Sequence, residues 1–217
     1  MHRFRSWKLA ERTPAVVLVT AVRSNEVRLA RQVAHPNVAR VYDIAEAKGL
    51  VFISMEYVDG EDLASVLRRM GRPSRDKAVD IARQLCLGLA AAHERGVIHR
   101  DIKPSNIMVD GRGHVRVMDF GLSALAADTV ADGRIVGTPA YMAPEQLAHG
   151  QVSVQSDLYA LGLILHEIAT GQRVHDTSDL DELRRRHASE SRPMTSSLVD
   201  DLDPAFEHAI ELCLETD

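Results

Sequence analysis

Three short motifs in the middle of the chain constrain its fold and chemistry more than any other feature of its 217 residues. The first is His-Arg-Asp-Ile-Lys-Pro-Ser-Asn at 99–106, the second is Asp-Phe-Gly at 119–121, and the third is Gly-Thr-Pro-Ala-Tyr-Met-Ala-Pro-Glu at 137–145. One of them alone could be chance, since an isolated Asp is most often a solvated surface residue. All three in this order and at these intervals indicate one shared site.

The first two motifs contain the four side chains that a phosphoryl-transfer site needs. Asp101 is a carboxylate that can orient a hydroxyl nucleophile and accept its proton. Lys103 follows two residues later, so in an extended loop its cation points to the same side and can lie against phosphoryl oxygens. Asn106 and Asp119 offer one neutral and one charged oxygen, which are ligands that magnesium prefers.

The hydrophobic periodicity predicts a strand-rich first third followed by a helix-rich remainder, which is an α+β arrangement. Strands are predicted at 15–22, 38–44, 50–57, 107–109 and 114–118, with turns at 46–49 and 110–113. Helices are predicted at 26–33, 62–70, 74–94, 158–170, 179–188 and 204–215. The helix at 158–170 is apolar nearly all round and should be buried, whereas 119–145 is expected to be a long loop. A break near 58–60 predicts a hinge between two lobes, with the ligand in the cleft between them.

These motifs resemble those of the protein kinase superfamily, and within it the bacterial Hanks-type (eukaryotic-like) Ser/Thr kinases, over about residues 24–216. The resemblance implies a bilobal protein-kinase-like fold with an incomplete β-rich small lobe and a mostly helical large lobe. The expected division is an atypical N-terminal segment at 1–23, a partial small lobe at 24–58, and a large catalytic lobe at 59–217 that is truncated at its C-terminal end.

The resemblance also implies a nucleotide site. Glu26 stands where the family has the Glu of its regulatory helix, nine residues before His-Pro-Asn-Val at 35–38. Met55 resembles the gatekeeper that limits the back of the ATP pocket. The backbones of Glu56 and Val58 are then expected to bond the adenine, and Met108 to pack under the ring.

Further positions match the family pattern in the large lobe. Lys103 together with Gly-Thr-Pro at 137–139 is the Ser/Thr-type arrangement, in which Thr138 ties the substrate loop to the catalytic residues. Arg100 is expected to receive a phosphorylated loop, with Thr129 the better acceptor and Ser123 the other. The resemblance makes Asp157 a buried anchor for the catalytic-loop backbone. It places His99 and Phe120 in a stack that links the lobes.

Two departures from the family pattern bear on activity. No glycine precedes Gly49, so a Gly-rich phosphate loop is absent, and no Val-Ala-Ile-Lys-like strand precedes Glu26. Lys8 is a weak candidate for the partner of Glu26, since its neighbours are wrong for a phosphate-binding strand. The sequence also ends before the Arg that would pair with Glu145, which would leave that carboxylate buried and unpaired at roughly 3–5 kcal/mol.

Composition excludes several other classes of protein. The net charge of −5 and a pI near 6.1 argue against a nucleic-acid partner. No apolar run approaches the roughly 20 residues of a membrane span, and no targeting signal is evident, so the expected location is the cytoplasm. Cys86 and Cys213 are expected to be reduced thiols.

The expected function is therefore an ATP- and Mg-dependent Ser/Thr protein kinase domain that transfers the γ-phosphate to hydroxyls of protein substrates. The missing loop and lysine leave an alternative open. In that alternative, the chain is a pseudokinase or kinase fragment that binds nucleotide or protein without efficient turnover.

Overall fold

A computed structural model describes residues 15–19, 29–47, 50–120, 138–177, 179–188, 195–199 and 201–215. The strands are β1 (Ala15–Val19), β2 (Val41–Ala47), β3 (Leu50–Met55), β4 (Gly60–Asp62), β5 (Ile107–Asp110) and β6 (Val115–Val117). The α-helices are α1 (Leu63–Met70), α2 (Arg75–His93), α3 (Pro144–His149), α4 (Val154–Thr170), α5 (Leu180–Ala188) and α6 (Pro204–Leu214). Short 3₁₀ turns occupy Pro104–Asn106, Pro139–Tyr141 and Thr195–Ser197.

The first three strands form one antiparallel sheet in the order β1-β3-β2. The strand predicted at 15–22 is confirmed as β1, which pairs with β3 from Ala15 opposite Met55 to Val19 opposite Val51. Its pairing joins part of the stretch 1–23, which the sequence analysis set apart, to the small-lobe sheet. β1 and β2 therefore flank the strand that leads to the predicted hinge.

The bounds of β2 differ from the sequence prediction at both ends. The strand begins at Val41, because Val38 instead forms an isolated parallel bridge to Val117 in the second sheet. It continues to Ala47, which pairs with Leu50, so residues 46 and 47 belong to the strand and not to the predicted turn. The second sheet has the order β4-β5-β6, and β4 was not predicted.

The large lobe is built around α4, which is buried on every side along most of its length. Ser153 caps its first turn by accepting a hydrogen bond from the Ser156 N–H, and Gly171 ends it in the left-handed conformation with φ of 74°. Gly162 lets α6 approach closely, because a Cβ at this position would lie 2.8 Å from the Cβ of Cys213. The prediction of a central buried helix is confirmed, and the helix begins four residues earlier than expected.

The long helix α2 packs against this core through the face that its periodicity predicted. That face consists of five buried residues: Ala78, Ile81, Ala82, Leu85 and Leu89. The helices α1, α5 and α6 also match their predicted positions within about one residue. In contrast, the loop expected over 119–145 is partly regular, since a 3₁₀ turn starts at Pro139 and α3 starts at Pro144.

None of the helices in the described ranges combines the length and the apolar character that crossing a membrane requires.

Candidate active site

The first motif is fixed in place by one buried carboxylate on α4. The Asp157 side chain, only 1% exposed, accepts hydrogen bonds from the backbone N–H of His99 at 2.7 Å and of Arg100 at 2.8 Å. His93 Nε2, at the end of α2, lies 2.8 Å from the same carboxylate. This confirms the anchoring role expected for Asp157. It also explains how Arg100 keeps a left-handed backbone with φ of 73°, which is uncommon for a residue other than glycine.

Three further residues of the motif, Asp101, Lys103 and Asn106, converge on one another. Lys103 Nζ lies 2.6 Å from Asp101 Oδ2, so the two side chains point to the same side as the spacing predicted. The Asn106 amide nitrogen donates to the Asp101 carbonyl at 2.8 Å and lies 3.4 Å from its carboxylate. The Asp101 and Lys103 side chains are largely shielded from solvent, so their interaction is stronger than that of a surface pair.

Two hydrogen bonds to the backbone of Met118 bring the second motif to the first. The Met118 N–H donates to the Asn106 carbonyl at 2.8 Å, and the Met118 carbonyl lies 2.8 Å from His99 Nε2. His99 is fully buried, and its ring lies 4.7 Å from that of Phe120. The expected contact between His99 and Phe120 is therefore confirmed.

Asp119 follows Met118 directly and has a left-handed backbone with φ of 59°. Arg100 and Asp119 are the two non-glycine residues with positive φ in the described ranges, and they flank the same site. Such strained positions concentrate at functional sites. Burial raises the pKa of the Asp119 carboxyl, and the nearby charges of His99 and Lys103 oppose that rise. Asp119 is thus close enough to Asp101 and Lys103 for their charges to act on it.

The donor set fits a magnesium ion bound together with phosphate groups. The amide nitrogen of Asn106 is engaged by Asp101, which leaves its Oδ1 as the atom available for a cation. Asp119 is a carboxylate whose ionisation burial disfavours, and a divalent cation would offset that cost. Among the described residues there is no cluster of three or more His, Cys, Asp or Glu that could hold a metal alone. Two protein oxygens completed by phosphate and water are the usual magnesium arrangement.

The predicted hinge corresponds to the residues between β3 and β4. Met55 and Val58 have buried side chains, whereas that of Met108 on β5 is partly exposed. The Glu56 carboxylate accepts the Arg40 N–H at 3.2 Å and lies 3.3 Å from Arg116 Nε, so it is used within the protein. Within the described part of the chain, the Glu56 carbonyl and the Val58 N–H make no hydrogen bond, which leaves both available to a ligand.

Several predicted positions lie outside the described residues: Lys8, Glu26, Gly121, Ser123 and Thr129. Thr138 is described, and it lines a small cavity together with Arg100, Asp101 and Asp157. The prediction that Glu145 would be buried was wrong. Its side chain is only partly buried, so it does not carry the full cost of an enclosed charge.

One polar cluster beside the site was missed by the sequence analysis. The Tyr141 hydroxyl donates to Glu167 Oε2 at 2.5 Å, and Arg173 Nε lies 3.3 Å from the other oxygen of that buried carboxylate. The Arg173 guanidinium also lies over the Tyr141 ring, 5.9 Å from its centre. Burial raises the pKa of the Tyr141 phenol. The available signal was a Glu near the end of a mostly apolar helix.

Comparison with known proteins extends these observations. The model of the protein kinase domain family matches residues 8–217, which includes β1. A probable serine/threonine-protein kinase, pknA2, from Bifidobacterium longum is 37% identical over 182 residues, covering 83% of this chain and 24% of that protein.

Two further relatives have similar identity. The serine/threonine-protein kinase PknH of Mycobacterium tuberculosis is 34% identical over 221 residues, covering 96% of this chain and 34% of that protein. The serine/threonine-protein kinase PrkC of Bacillus subtilis is 34% identical over 170 residues, covering 77% of this chain and 26% of that protein. The chain therefore spans between about a quarter and a third of the length of these relatives.

Proposed function

Because this chain belongs to the protein kinase family and resembles its bacterial Hanks-type Ser/Thr members, we propose that it transfers the γ-phosphate of ATP to Ser and Thr hydroxyls of proteins. The observation that carries the proposal is the contact set around Asp101. Its carboxylate bonds Lys103, its carbonyl bonds Asn106, and the Asn106 carbonyl holds the residue before Asp119.

Asp101 orients the substrate hydroxyl and accepts its proton as the phosphoryl group is transferred. The Lys103 ammonium balances the carboxylate at 2.6 Å and steadies the negative oxygens of the γ-phosphoryl group. Because the transition state of this reaction is loose, most of the contribution of Asp101 is alignment. The Asp157 anchor supplies that alignment, since it fixes the backbone immediately before Asp101.

Asn106 and Asp119 would hold magnesium, which supplies charge neutralisation between the phosphate groups when it is bound. The chain's own part is to present the two oxygens in a fixed relation. The Asn106 amide is held by Asp101, and the Asn106 carbonyl accepts the N–H of Met118, the residue before Asp119. The two proposed ligands are therefore connected to each other through Met118.

The adenine is proposed to lie against the hinge. The Glu56 carbonyl and the Val58 N–H would bond its edge, with Met55 behind the ring and Met108 beneath it. This placement of the adenine is supported by the burial of Met55 and Val58 and by the two backbone groups that are available to a ligand. Glu26 is proposed to complete the phosphate end of the site.

The test is transfer of labelled γ-phosphate from magnesium-ATP to the chain itself and to a generic basic protein. The Asp101→Asn variant is the matched control, since it preserves the shape of the side chain and removes its charge. Label that disappears in the variant supports the proposal. A folded wild-type chain that binds ATP and transfers nothing would instead identify a nucleotide-binding module, which the absence of a lysine in β1 would explain.

A further inference from the structure

Strand β6, which leads directly to Asp119, lies at the end of its sheet, and among the described strands it has a partner on one edge only. On that edge it pairs with β5, with Val115 opposite Val109 and Val117 opposite Ile107. An unpaired edge would leave backbone groups buried without partners, because Val115 and Val117 are fully buried. The backbone groups on the other edge of β6 are bonded by side chains and by a short segment of chain, not by a strand of the same sheet.

Two side-chain amides take the place of a neighbouring strand at Val115. The Val115 N–H donates to Gln84 Oε1 at 2.8 Å, and the Val115 carbonyl accepts from Asn37 Nδ2 at 2.8 Å. The same Asn37 nitrogen also donates to Gln84 Oε1 at 2.9 Å, so the two amides are joined to each other.

Backbone groups next to Asn37 continue this edge at Val117. The Val117 N–H donates to the Asn37 carbonyl at 2.9 Å, and the Ala39 N–H donates to the Val117 carbonyl at 2.9 Å. Every backbone donor and acceptor of Val115 and Val117 on this edge is therefore satisfied by the segment 37–39 or by Gln84.

The amide pair is enclosed, and the Gln84 amide nitrogen is also bonded. Asn37 is 7% exposed and Gln84 is 6% exposed. Gln84 Nε2 donates to Asp80 Oδ2 at 2.8 Å and to the Gly113 carbonyl at 3.1 Å. A buried hydrogen-bonded network of this kind favours one arrangement, because a shift of either amide leaves a buried backbone group unpaired.

We propose that Asn37 and Gln84 are positioning residues for Asp119, and that they set the geometry of the metal site through β6. The inference rests on the proposed function. Only Met118 separates Val117 from Asp119, and its N–H bonds the carbonyl of the other proposed ligand, Asn106. The amide pair is therefore connected, through β6 and Met118, to both proposed ligands.

The two amides come from different parts of the chain, which gives the arrangement a further consequence. Asn37 lies four residues before the small-lobe strand β2, whereas Gln84 lies in the middle of the large-lobe helix α2. The location of β6, and of Asp119 beyond it, thus depends on the small-lobe segment 37–39 staying docked on α2. Close contact at Gly88 supports that docking, since a Cβ there would come within 2.7 Å of the Asn37 carbonyl oxygen.

The test is metal binding at the nucleotide site in Gln84→Met, which keeps the length of the side chain and removes its amide. Manganese, detected by electron paramagnetic resonance, serves as the probe ion in the presence of ATP. ATP binding is measured separately by calorimetry in EDTA. We expect the manganese affinity to fall about tenfold while metal-free ATP binding is unchanged, as for residues that support metal ligands indirectly.

Two companion variants distinguish positioning from a general loss of stability. Asn37→Ala leaves Gln84 bonded to Val115 and should give a smaller loss, which also provides a reading if Gln84→Met does not fold. Ile210→Val removes one methyl group from the buried face of α6, has no bond to β6, and should leave the manganese affinity unchanged. Urea unfolding of each variant establishes that all are folded at the assay temperature.

The outcomes separate the inference from the proposed function. Wild type that binds manganese with ATP, alongside folded amide variants with the same affinity, would overturn the positioning role alone. Wild type that binds ATP but no metal would overturn the proposed function and the positioning role with it. A selective loss in the amide variants, absent from Ile210→Val, supports the inference whether or not the chain turns over efficiently.

Discussion

The carboxylate of Asp157 binds the backbone of Arg100 and His99 from the first turn of α4, with one oxygen on each N–H group. This contact connects the largely buried helix α4 to the loop that carries Asp101. The carboxylate also lies in the first turn of that helix, where the aligned backbone dipoles favour a negative charge. We therefore expect stability and the proposed phosphate transfer to depend on the same side chain.

Replacing Asp157 with Ala should affect both properties. Two buried N–H groups would lose their acceptor, and His93 would lose its partner, so the free energy of unfolding should fall by about 3–5 kcal/mol. Phosphate transfer by the remaining folded protein should fall at least about tenfold, because Arg100 is no longer held in its left-handed conformation. Urea unfolding and initial rates measure the two effects.

Asp157→Asn is the matched control for this change. It keeps one oxygen acceptor and replaces the other with a donor, so only one of the two N–H groups loses its bond. We expect intermediate values of both the unfolding free energy and the rate. Rates equal to wild type in a folded Asp157→Ala variant would contradict the anchoring role.

Lys103→Met should lower kcat much more than it changes KM for ATP. The ammonium lies 2.6 Å from the Asp101 carboxylate, where it is placed to meet charge that develops on the transferred group. Removal of one such preorganised donor typically costs about 10²–10³ in kcat. Steady-state kinetics with varied ATP check the prediction, and Lys77→Met on the exposed face of α2 serves as the control. A rise in KM at constant kcat would assign Lys103 to ground-state binding.

Asp119→Asn should make the metal-free protein more stable at neutral pH while it abolishes activity. Burial raises the pKa of Asp119 above 3.8, so the folded state holds the proton more tightly than the unfolded state. The stability of wild type relative to the Asn variant is therefore greatest at acidic pH, and it falls as the pH rises through the folded-state pKa of Asp119. The Asn variant lacks this dependence, and its advantage should reach about 1 kcal/mol.

Urea unfolding in EDTA between pH 4 and 7 measures that difference for Asp119. The two proteins should converge toward the acidic end of this range and separate as the pH rises. Addition of magnesium-ATP should stabilise wild type more than the variant, because binding to the folded state alone raises its stability. A constant difference across the pH range would show that burial of the charge is not its cause.

Much of this architecture was predictable, because it depends on local pattern. Ser74 and the periodicity of the following residues indicated α2, and the apolar run at 158–170 indicated α4 as the buried centre. The convergence of Asp101 and Lys103 followed from a spacing of two in an extended loop.

What escaped prediction depends on contacts between distant residues. In the sequence, Gln84 is one polar position of an amphipathic helix. Only the fold shows that its side chain bonds the edge of a strand 31 residues away. Val38 was expected in a strand with its sequence neighbours, yet it bridges to Val117 in the other sheet. Glu167 likewise has partners at 26 residues before it and 6 residues after it, which no local periodicity specifies.

Tyr141→Phe should destabilise the protein without removing the ion pair between Glu167 and Arg173. The phenol donates to Glu167 in a buried position, and its loss leaves one carboxylate oxygen without that donor. Arg173 still pairs with the other oxygen, so we expect a loss of about 1–2 kcal/mol in unfolding free energy, typical of a hydrogen bond to a charged group. Tyr42→Phe, at an exposed ring, should change stability by less than about 0.5 kcal/mol. Equal unfolding free energies for the two variants would show that Glu167 does not depend on the phenol, and that Arg173 alone balances its charge.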